Sequence, residues 1–291
     1  MNMRTIGQTW WTIALIAAVA LPAAVAWAQE AGDEADDGPK NVIVESVDDA
    51  PKFGSRIVEK RLKKLDEDHK LQITIGRFFD QGHTTSSNEF EPYVAAAVPV
   101  NKEGERDGVQ MFHRPRSGSA ERSVVWADGV KQGPEKVYGR GGKVIEIKPW
   151  VDNKIHGEVK TFDLEGNVLS VAHYEKGVQV GVSKSFDSEG RLLREVPYKD
   201  GEKHGKRVDY WPQTGEPKRV VPYRKGLAHG EVVEYHLNGE VKRRVNTIEG
   251  QLHGREEVFS DEGKLITVRY WWDGGMVSQS EFEAKQKAEK K

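Results

Sequence analysis

The sequence contains no cysteine, which removes disulfides, thiolate nucleophiles and cysteine-ligated metals together. Net charge is nearly absent too, with 44 basic residues against 46 acidic ones. A general nucleic-acid binder needs a concentrated basic surface, and this balance does not supply one. The phosphate-binding pattern G-x-x-x-x-G-K-S/T is missing, and the glycines are spaced for hairpins rather than for a loop that opens a helix. His83 with Ser86 or Ser87 lacks the elbow pattern of a serine nucleophile. Apolar residues are scarce, 37% against 31% charged, which is lean for one deep core. The long apolar run is at the start. Trp10 to Val25 follows Arg4 and precedes Ala26-Trp27-Ala28, the pattern of an export signal cleaved before Gln29. This predicts a periplasmic or secreted protein. A retained N-terminal anchor is the alternative, opposed by Pro22 and the clean Ala-x-Ala.

What the chain has in abundance is glycine at fixed intervals. From Arg106 to Gly274 one short unit is written seven times, with a step of 24 or 25 residues. Three columns carry it. The first is Gly108, Gly133, Gly157, Gly181, Gly205, Gly230 and Gly254; the second is Gly118, Gly142, Gly166, Gly190, Gly215, Gly239 and Gly263. The third is Gly129, Gly177, Gly201, Gly226, Gly250 and Gly274, with Asn153 in the remaining slot. A period of this size marks a repeat array rather than a single-core globule. Five to eight residues separate the columns once turns are subtracted, a normal strand length. Glycine at turns supplies the positive φ that tight hairpins need.

The predicted fold is therefore all-β: an elongated antiparallel meander of about seven tandem β-hairpin repeats and about fourteen strands. Two aromatic columns support the register. Tyr138, Phe162, Phe186, Tyr210, Tyr235 and Phe259 lie five residues after the first glycine. Trp126, Trp150, Tyr174, Tyr198, Tyr223 and Trp271 lie eight after the second, with Thr247 breaking the series. Pro149, Pro197 and Pro222 precede members of this second column, so their strands are expected to end or bulge there. The remaining segments divide as 1–28 signal, 29–40 acidic spacer, 41–100 a small α/β region capping the open edge, 101–275 the array and 276–291 a charged, helix-favouring tail. Within the cap, Ser55 to Asp66 has helical spacing, Leu71 to Phe79 reads as a strand, Gln81 to Asn88 as loop, and Pro92 to Val100 as a further strand.

The unit Tyr198-Lys199-Asp200-Gly201-Glu202-Lys203-His204-Gly205 through Tyr210 resembles the bacterial variant of the MORN repeat (membrane occupation and recognition nexus). The resemblance covers about Val100 to Gly274. Val180 and Gln132 replace its histidine, Asn153 replaces one glycine, and Phe112-His113 depart from its spacing. The resemblance implies hairpin repeats in a largely single-layer sheet with a role in interaction rather than chemistry. Relatives of the YwqK type are often labelled antitoxins, a label at odds with an export signal.

Chemistry finds few footholds. His156, His204, His229 and His253 each precede a first-column glycine. Successive copies stand two strands apart, roughly 9 to 10 Å, while zinc holds its nitrogens at about 2 Å. Neighbouring repeats therefore cannot share one ion, and these histidines read as turn residues. Carboxylate pairs such as Glu256 and Glu257, or Asp163 and Glu165, read as solvent-facing charge. Lys242-Arg243-Arg244 reads as a solvated strand whose neighbours face opposite ways. No catalytic, cofactor-binding or metal-binding residue is assigned. The candidate binding residues are the rings Trp126, Trp150, Tyr174, Tyr198, Tyr223, Trp271 and Trp272, with the last two the best placed for an exposed contact. The partner expected is another protein or an envelope polymer. Nucleic acid is excluded; the alternatives are a peripheral membrane-associating module, which near-neutral charge disfavours on anionic lipid, and an antitoxin-like partner of a secreted toxin.

Overall fold

The computed structural model describes residues 12–13, 40–44, 61–62, 65–79, 90–115 and 117–289. The expected signal, acidic spacer, helix over 55–66 and loop over 81–88 lie wholly or mostly outside them. The described chain is an antiparallel β-meander that ends in one helix, apart from a two-residue parallel pairing of Thr12–Ile13 with Asn41 and Val42. It divides into two compact units: Met1–Val144 with Trp150–Asn153, and Ile145–Pro149 with Lys154–Lys291.

The first unit begins with the best-packed apolar core. Lys40–Val44, a strand the sequence reading did not anticipate, pairs with Lys70–Phe79, which pairs with Phe90–Val100. Val44, Leu71, Ile73, Val94 and Ala97 are buried between them, and Leu62 and Leu65 pack against this cluster. Phe90–Val100 then pairs with the first repeat strand, Gly108–His113, through Ala96↔Phe112 and Ala97↔Met111. That pairing takes up the backbone groups an edge strand would otherwise present.

Each repeat is built from three kinds of joint. The third-column glycine and the residue before it form a two-residue hairpin turn with both φ values positive. Lys176 and Gly177 are at 50° and 88°, and Asp200 and Gly201 at 54° and 83°. This is the type I′ pattern, whose twist matches that of the strands it joins. Asn153, at 61°, fits because asparagine tolerates the left-handed region. The amide of this position also reaches the preceding repeat. Gly177 N donates to Ile155 O, Gly201 N to Gln179 O, Gly226 N to Lys203 O, Gly250 N to Ala228 O and Gly274 N to Leu252 O, at 2.7 to 3.0 Å. Within the first unit, Gly129 N donates to Arg106 O and Asn153 N to Lys131 O. The tight turns are thus laid one upon the next.

The second-column glycine closes a wider turn. Asp163 N donates to Asn167 O and Gly166 N to Asp163 O, while Asp163 Oδ1 accepts from the amides of Glu165, Gly166 and Asn167. Asp187 accepts in the same way from the amides of Glu189 and Arg191, and Ser260 Oγ from that of Lys264.

Gly157, Gly205 and Gly230 of the first column sit not in turns of their own but at a strand irregularity beside proline. His156 N donates to Pro149 O, His204 N to Pro197 O and His229 N to Pro222 O. A Cβ on Gly157, Gly205 or Gly230 would lie 3.3, 3.3 or 3.1 Å from the facing proline Cγ. The expectation that proline interrupts its own strand is corrected here. Val144–Val151, Leu192–Lys199 and Pro217–Arg224 run straight through it, and the following strand breaks instead. The pieces are Lys154–Ile155 and Gly157–Phe162, Glu202–Lys203 and Gly205–Tyr210, and Leu227–Ala228 and Gly230–Tyr235. The same break occurs opposite Val125, where Gln132 N donates to Val125 O and the strand divides into Val130–Lys131 and Gly133–Tyr138, so proline accompanies the joint without being required for it. Where His173 or Asn246 replaces it, Val178–Phe186 and Gln251–Phe259 are unbroken. Counted across the breaks, Gly108 to Trp272 forms the fourteen strand runs that the spacing predicts.

The same joint precedes the first repeat. Asp107 N donates to Pro99 O, a Cβ on Gly108 would lie 3.1 Å from Pro99 Cγ, and Gly104 is left-handed. The repeat geometry therefore begins in Phe90–Val100, half a unit earlier than the glycine columns suggest. At the other end the helix Gln279–Glu289 is capped reciprocally. Glu281 N donates to Ser278 Oγ, and Ser278 N donates to Glu281 Oε2. Phe282 packs 5.3 Å from the Tyr270 ring and 5.8 Å from Trp272.

Candidate functional site

Strand pairing separates the two aromatic columns onto opposite faces. In the second unit Tyr174, Tyr198, Tyr223 and Trp271 stand directly across from Gly157, Gly181, Gly205 and Gly254. In the first unit Trp126 faces Gly108. Each ring thus stands opposite a residue that has no side chain. Phe162, Phe186, Tyr210, Tyr235 and Phe259 alternate onto the other face. All fourteen glycines of the second unit named in the three columns from Gly157 to Gly263 have positive φ, between 70° and 113°.

The predicted binding rings are half-buried. Trp126 Nε1 donates to Gln110 Oε1 at 2.9 Å, and Trp271 Nε1 donates to Glu256 Oε2 at 2.7 Å. Tyr223 and Trp271 pack on the buried valines Val221, Val232 and Val245. Trp150 lies under the Lys131 ammonium at 4.2 Å. Trp272 contacts His253, Phe282 and Lys285. Trp271 and Trp272, expected to be the most exposed, are thus both held by neighbours, the second by the tail helix.

Between the rings runs a row of paired charges that the sequence reading missed. On one face of the second unit Arg219 pairs with Glu234 at 3.4 Å, and Glu234 with Arg243 at 3.2 Å. Arg243 then pairs with Glu256 at 2.5 Å, and Glu256 with Arg269 at 3.6 Å. Further back, Asp209 takes both Arg194 and Arg207. The signal was present: Arg194, Arg219 and Arg243 occupy one repeat position, and two-residue alternation places them beside the acids of the next strand. Arg244 turns to the other face and pairs with Glu257, as strand alternation requires.

The carboxylates Glu256 and Glu257 are a correction to the expectation of solvent-facing charge. They are only 1% and 8% exposed. Burial alone would raise the Glu256 pKa. Hydrogen bonds from Arg243 and Trp271, with the charges of Arg243 and Arg269, outweigh it and hold the group below the ordinary carboxylate range. On the opposite face Tyr210 donates to Glu195 Oε2 at 2.8 Å, and burial together with this bond pushes the phenol up to about 12. Acids in these rows are saturated by cations or donors, so they serve the sheet rather than stand ready to move a proton.

The histidines divide. His156 and His204 are exposed, and His156 Nδ1 accepts from Lys176 N of the following tight turn. His253 stacks 4.7 Å from Trp272, with Asp273 at 3.3 Å. In the first unit His69 lies between Asp66 at 2.5 Å and Asp107 at 3.1 Å. Among the described residues, no cluster of three His, Asp or Glu is arranged to hold a metal.

No curated protein matches the chain. Solved structures that align with it include a point mutant of S. aureus TarM in complex with fondaparinux, alpha-GlcNAc-glycerol and UDP, at 18% identity and a TM-score of 0.26. That alignment covers 33% of this chain and 19% of TarM, so the chain spans about a fifth of that protein. A porin-like protein from Bacteroides uniformis aligns at 9% identity and a TM-score of 0.16, over 74% of this chain and 89% of that one. The MORN repeat variant model matches residues 155–176, 179–200 and 228–248. Over these three stretches the array is therefore similar to the MORN repeat variant, and Glu202–Arg224 between them is built with the same joints.

Proposed function

We propose that this chain is an exported, non-catalytic β-repeat scaffold whose sheet binds another protein or a cell-envelope component. The observation that supports it most directly is the saturation of its acidic groups. The buried carboxylates are tied to arginine and indole donors, which leaves half-buried rings and exposed aliphatic side chains as the surface available to a partner. Flat apolar and aromatic surface framed by paired charge is suited to recognition. Similarity to MORN-type repeats, which are binding modules, points the same way. Export rests on the N-terminal apolar run and its Ala26-Trp27-Ala28 boundary.

The deciding experiment is affinity capture from an envelope fraction. The full chain is compared with a protein of the same composition and shuffled sequence. Recovery of a discrete partner by the native array alone is the expected result. Equal recovery by both would defeat the scaffold reading.

A further inference from the structure

His69 ties together two distant parts of the first unit. It ends the turn Asp66–His69, which leads from Leu62 and Leu65 of the apolar core into the strand Lys70–Phe79. Its Nδ1 lies 2.5 Å from Asp66 Oδ1 in the same turn, and its Nε2 lies 3.1 Å from Asp107 Oδ2, 38 residues further on. Asp107 belongs to the joint that opens the array, where its amide donates to Pro99 O. The turn meets this region a second time through Asp68 and Lys102, 2.5 Å apart and each 69% exposed.

Ionised carboxylates only accept hydrogen bonds, so both contacts exist together only when both ring nitrogens carry hydrogen. The imidazolium meets that condition, and neutral imidazole does not. Once one proton has left for solvent, one nitrogen turns a lone pair toward a carboxylate. The contact with Asp66 is local, three residues apart, whereas the contact with Asp107 joins separate segments. Holding distant segments together costs more chain entropy, so Asp107 is the partner given up. Among the described residues the other charged groups around the pair are Lys102, which is engaged by Asp68 and also feels Asp66, and the exposed Glu67, Lys70 and Glu103. Arg106, beside Asp107 in the chain, lies over the Trp126 ring at 4.9 Å.

We propose that the Asp66–His69 turn is a pH-operated latch on the entry of the array, closed while His69 is the imidazolium and released from Asp107 when the ring gives up its proton. The start of the turn stays in place in both states. Arg61 donates to Val109 O and Ala97 O and keeps its charge throughout, and Leu62 and Leu65 remain on the core. An open cavity of about 290 Å³ beside the turn, lined by Val44, Leu62, Leu65 and His69, leaves the other end room to move. Hydrogen bonds to Asp66 and Asp107 raise the His69 pKa. The latch is therefore fully closed below the ordinary histidine value and lost as pH rises through the raised one. His113, the other described histidine of this unit, titrates apart from it. Its Nδ1 donates to Gly118 O, and burial pushes its pKa down. The latch stands whether or not the sheet binds a partner.

The test titrates the full chain with pH. Ring signals in NMR spectra give the His69 midpoint. Amide exchange, expressed as protection against the unfolded rate at each pH, follows Asp107. The expected result is a midpoint above that of free histidine, with Asp107 protection falling about two- to fivefold through it, the size of a partly exposed ionic contact. Protection of Ile73 and Ala97 should be the same on both sides of the step, since the core takes no part. In Asp107→Asn the midpoint should drop by about half a pH unit or more, because one carboxylate charge is lost. In His69→Gln, which carries no titrating proton, Asp107 protection should stay flat. Constant Asp107 protection through the native midpoint overturns the latch, as does a step that survives His69→Gln or a midpoint that ignores Asp107→Asn. So does a step shared equally by Ile73 and Ala97, which would mark unfolding of the whole cap instead.

Discussion

Removing the Glu256 carboxylate should destabilise the last repeats by about 3 kcal/mol, the lower end of the cost of breaking a buried ion pair. Glu256 is 1% exposed and receives Arg243 Nε at 2.5 Å and Trp271 Nε1 at 2.7 Å, with Arg269 at 3.6 Å. In Glu256→Ala the indole loses its acceptor and Arg243 loses its nearest anion. The cost is held down because Arg243 is 22% exposed and keeps Glu234 at 3.2 Å. The repeat itself supplies the control. Val159 and Val232 occupy the position equivalent to Glu256, so Glu256→Val with Arg243→Leu should return to within about 1 kcal/mol of the native chain, as apolar replacements of buried pairs do. Urea unfolding followed by circular dichroism gives the global change. Native-state amide exchange over Gln251–Phe259 and Leu265–Trp272 reads the local one. A single-variant loss below about 1 kcal/mol, or a double variant no better than the single, would refute this account of the charge row.

Three further outcomes follow from other parts of the fold. Gly230→Ala forces a side chain at φ 113° with its Cβ 3.1 Å from Pro222, and should cost about 2 kcal/mol; Gly239→Ala, with no atom within 4 Å, should cost less in parallel urea titrations. Hydrogen bonds to Asp66 and Asp107 raise the His69 pKa above its ordinary value, while His69 holds Asp66 below its own. The histidine contribution is therefore full below the unfolded histidine pKa and lost as pH rises through the raised value. The Asp66 contribution is present above the unfolded aspartate value and lost as pH falls through the lowered one. Thermal melts of the native chain should show this window between acid and alkaline loss, and His69→Gln should flatten the alkaline side. Phe282→Ala should release the tail helix from Tyr270 and Trp272, seen as a red shift of tryptophan emission and faster exchange in Gly275–Val277; an unchanged spectrum would count against the docking.

Much of the array was legible because its turns announce themselves. Glycine or asparagine every 24 or 25 residues places a left-handed backbone at each joint, and ring columns at constant offsets fix the strand phase. The role of proline was only half visible. The break falls in the neighbouring strand, and it also occurs opposite Val125, a fact about pairing that one strand's sequence does not contain. The half-unit at Pro99, Gly104 and Gly108 escaped notice because its turn, from Asn101 to Glu105, has the wide form of Asp163–Asn167 where the other repeats have a two-residue turn, which shifts the glycine. The candidate site was legible in its ring positions and illegible in its exposure. Whether Trp271 reaches solvent depends on Glu256 across the strand, and whether Trp272 does depends on Phe282 in the tail helix. The charge row needed both alternation and inter-repeat pairing, and neither acid nor arginine is unusual in its own segment.

The tight turns hand one hydrogen bond backwards to the preceding copy, always from the same position to an equivalent carbonyl. Whole copies are consequently interchangeable at this seam: excising or duplicating one complete unit leaves each amide with an acceptor of the same kind, and the 25-residue copy ending at Gly226 keeps the bond too, its extra residue taken up in the turn from Trp211 to Glu216. Length can therefore be altered by recombination between glycine columns at little conformational expense, so this architecture lends itself to lineages that differ in copy number while sharing one joint chemistry.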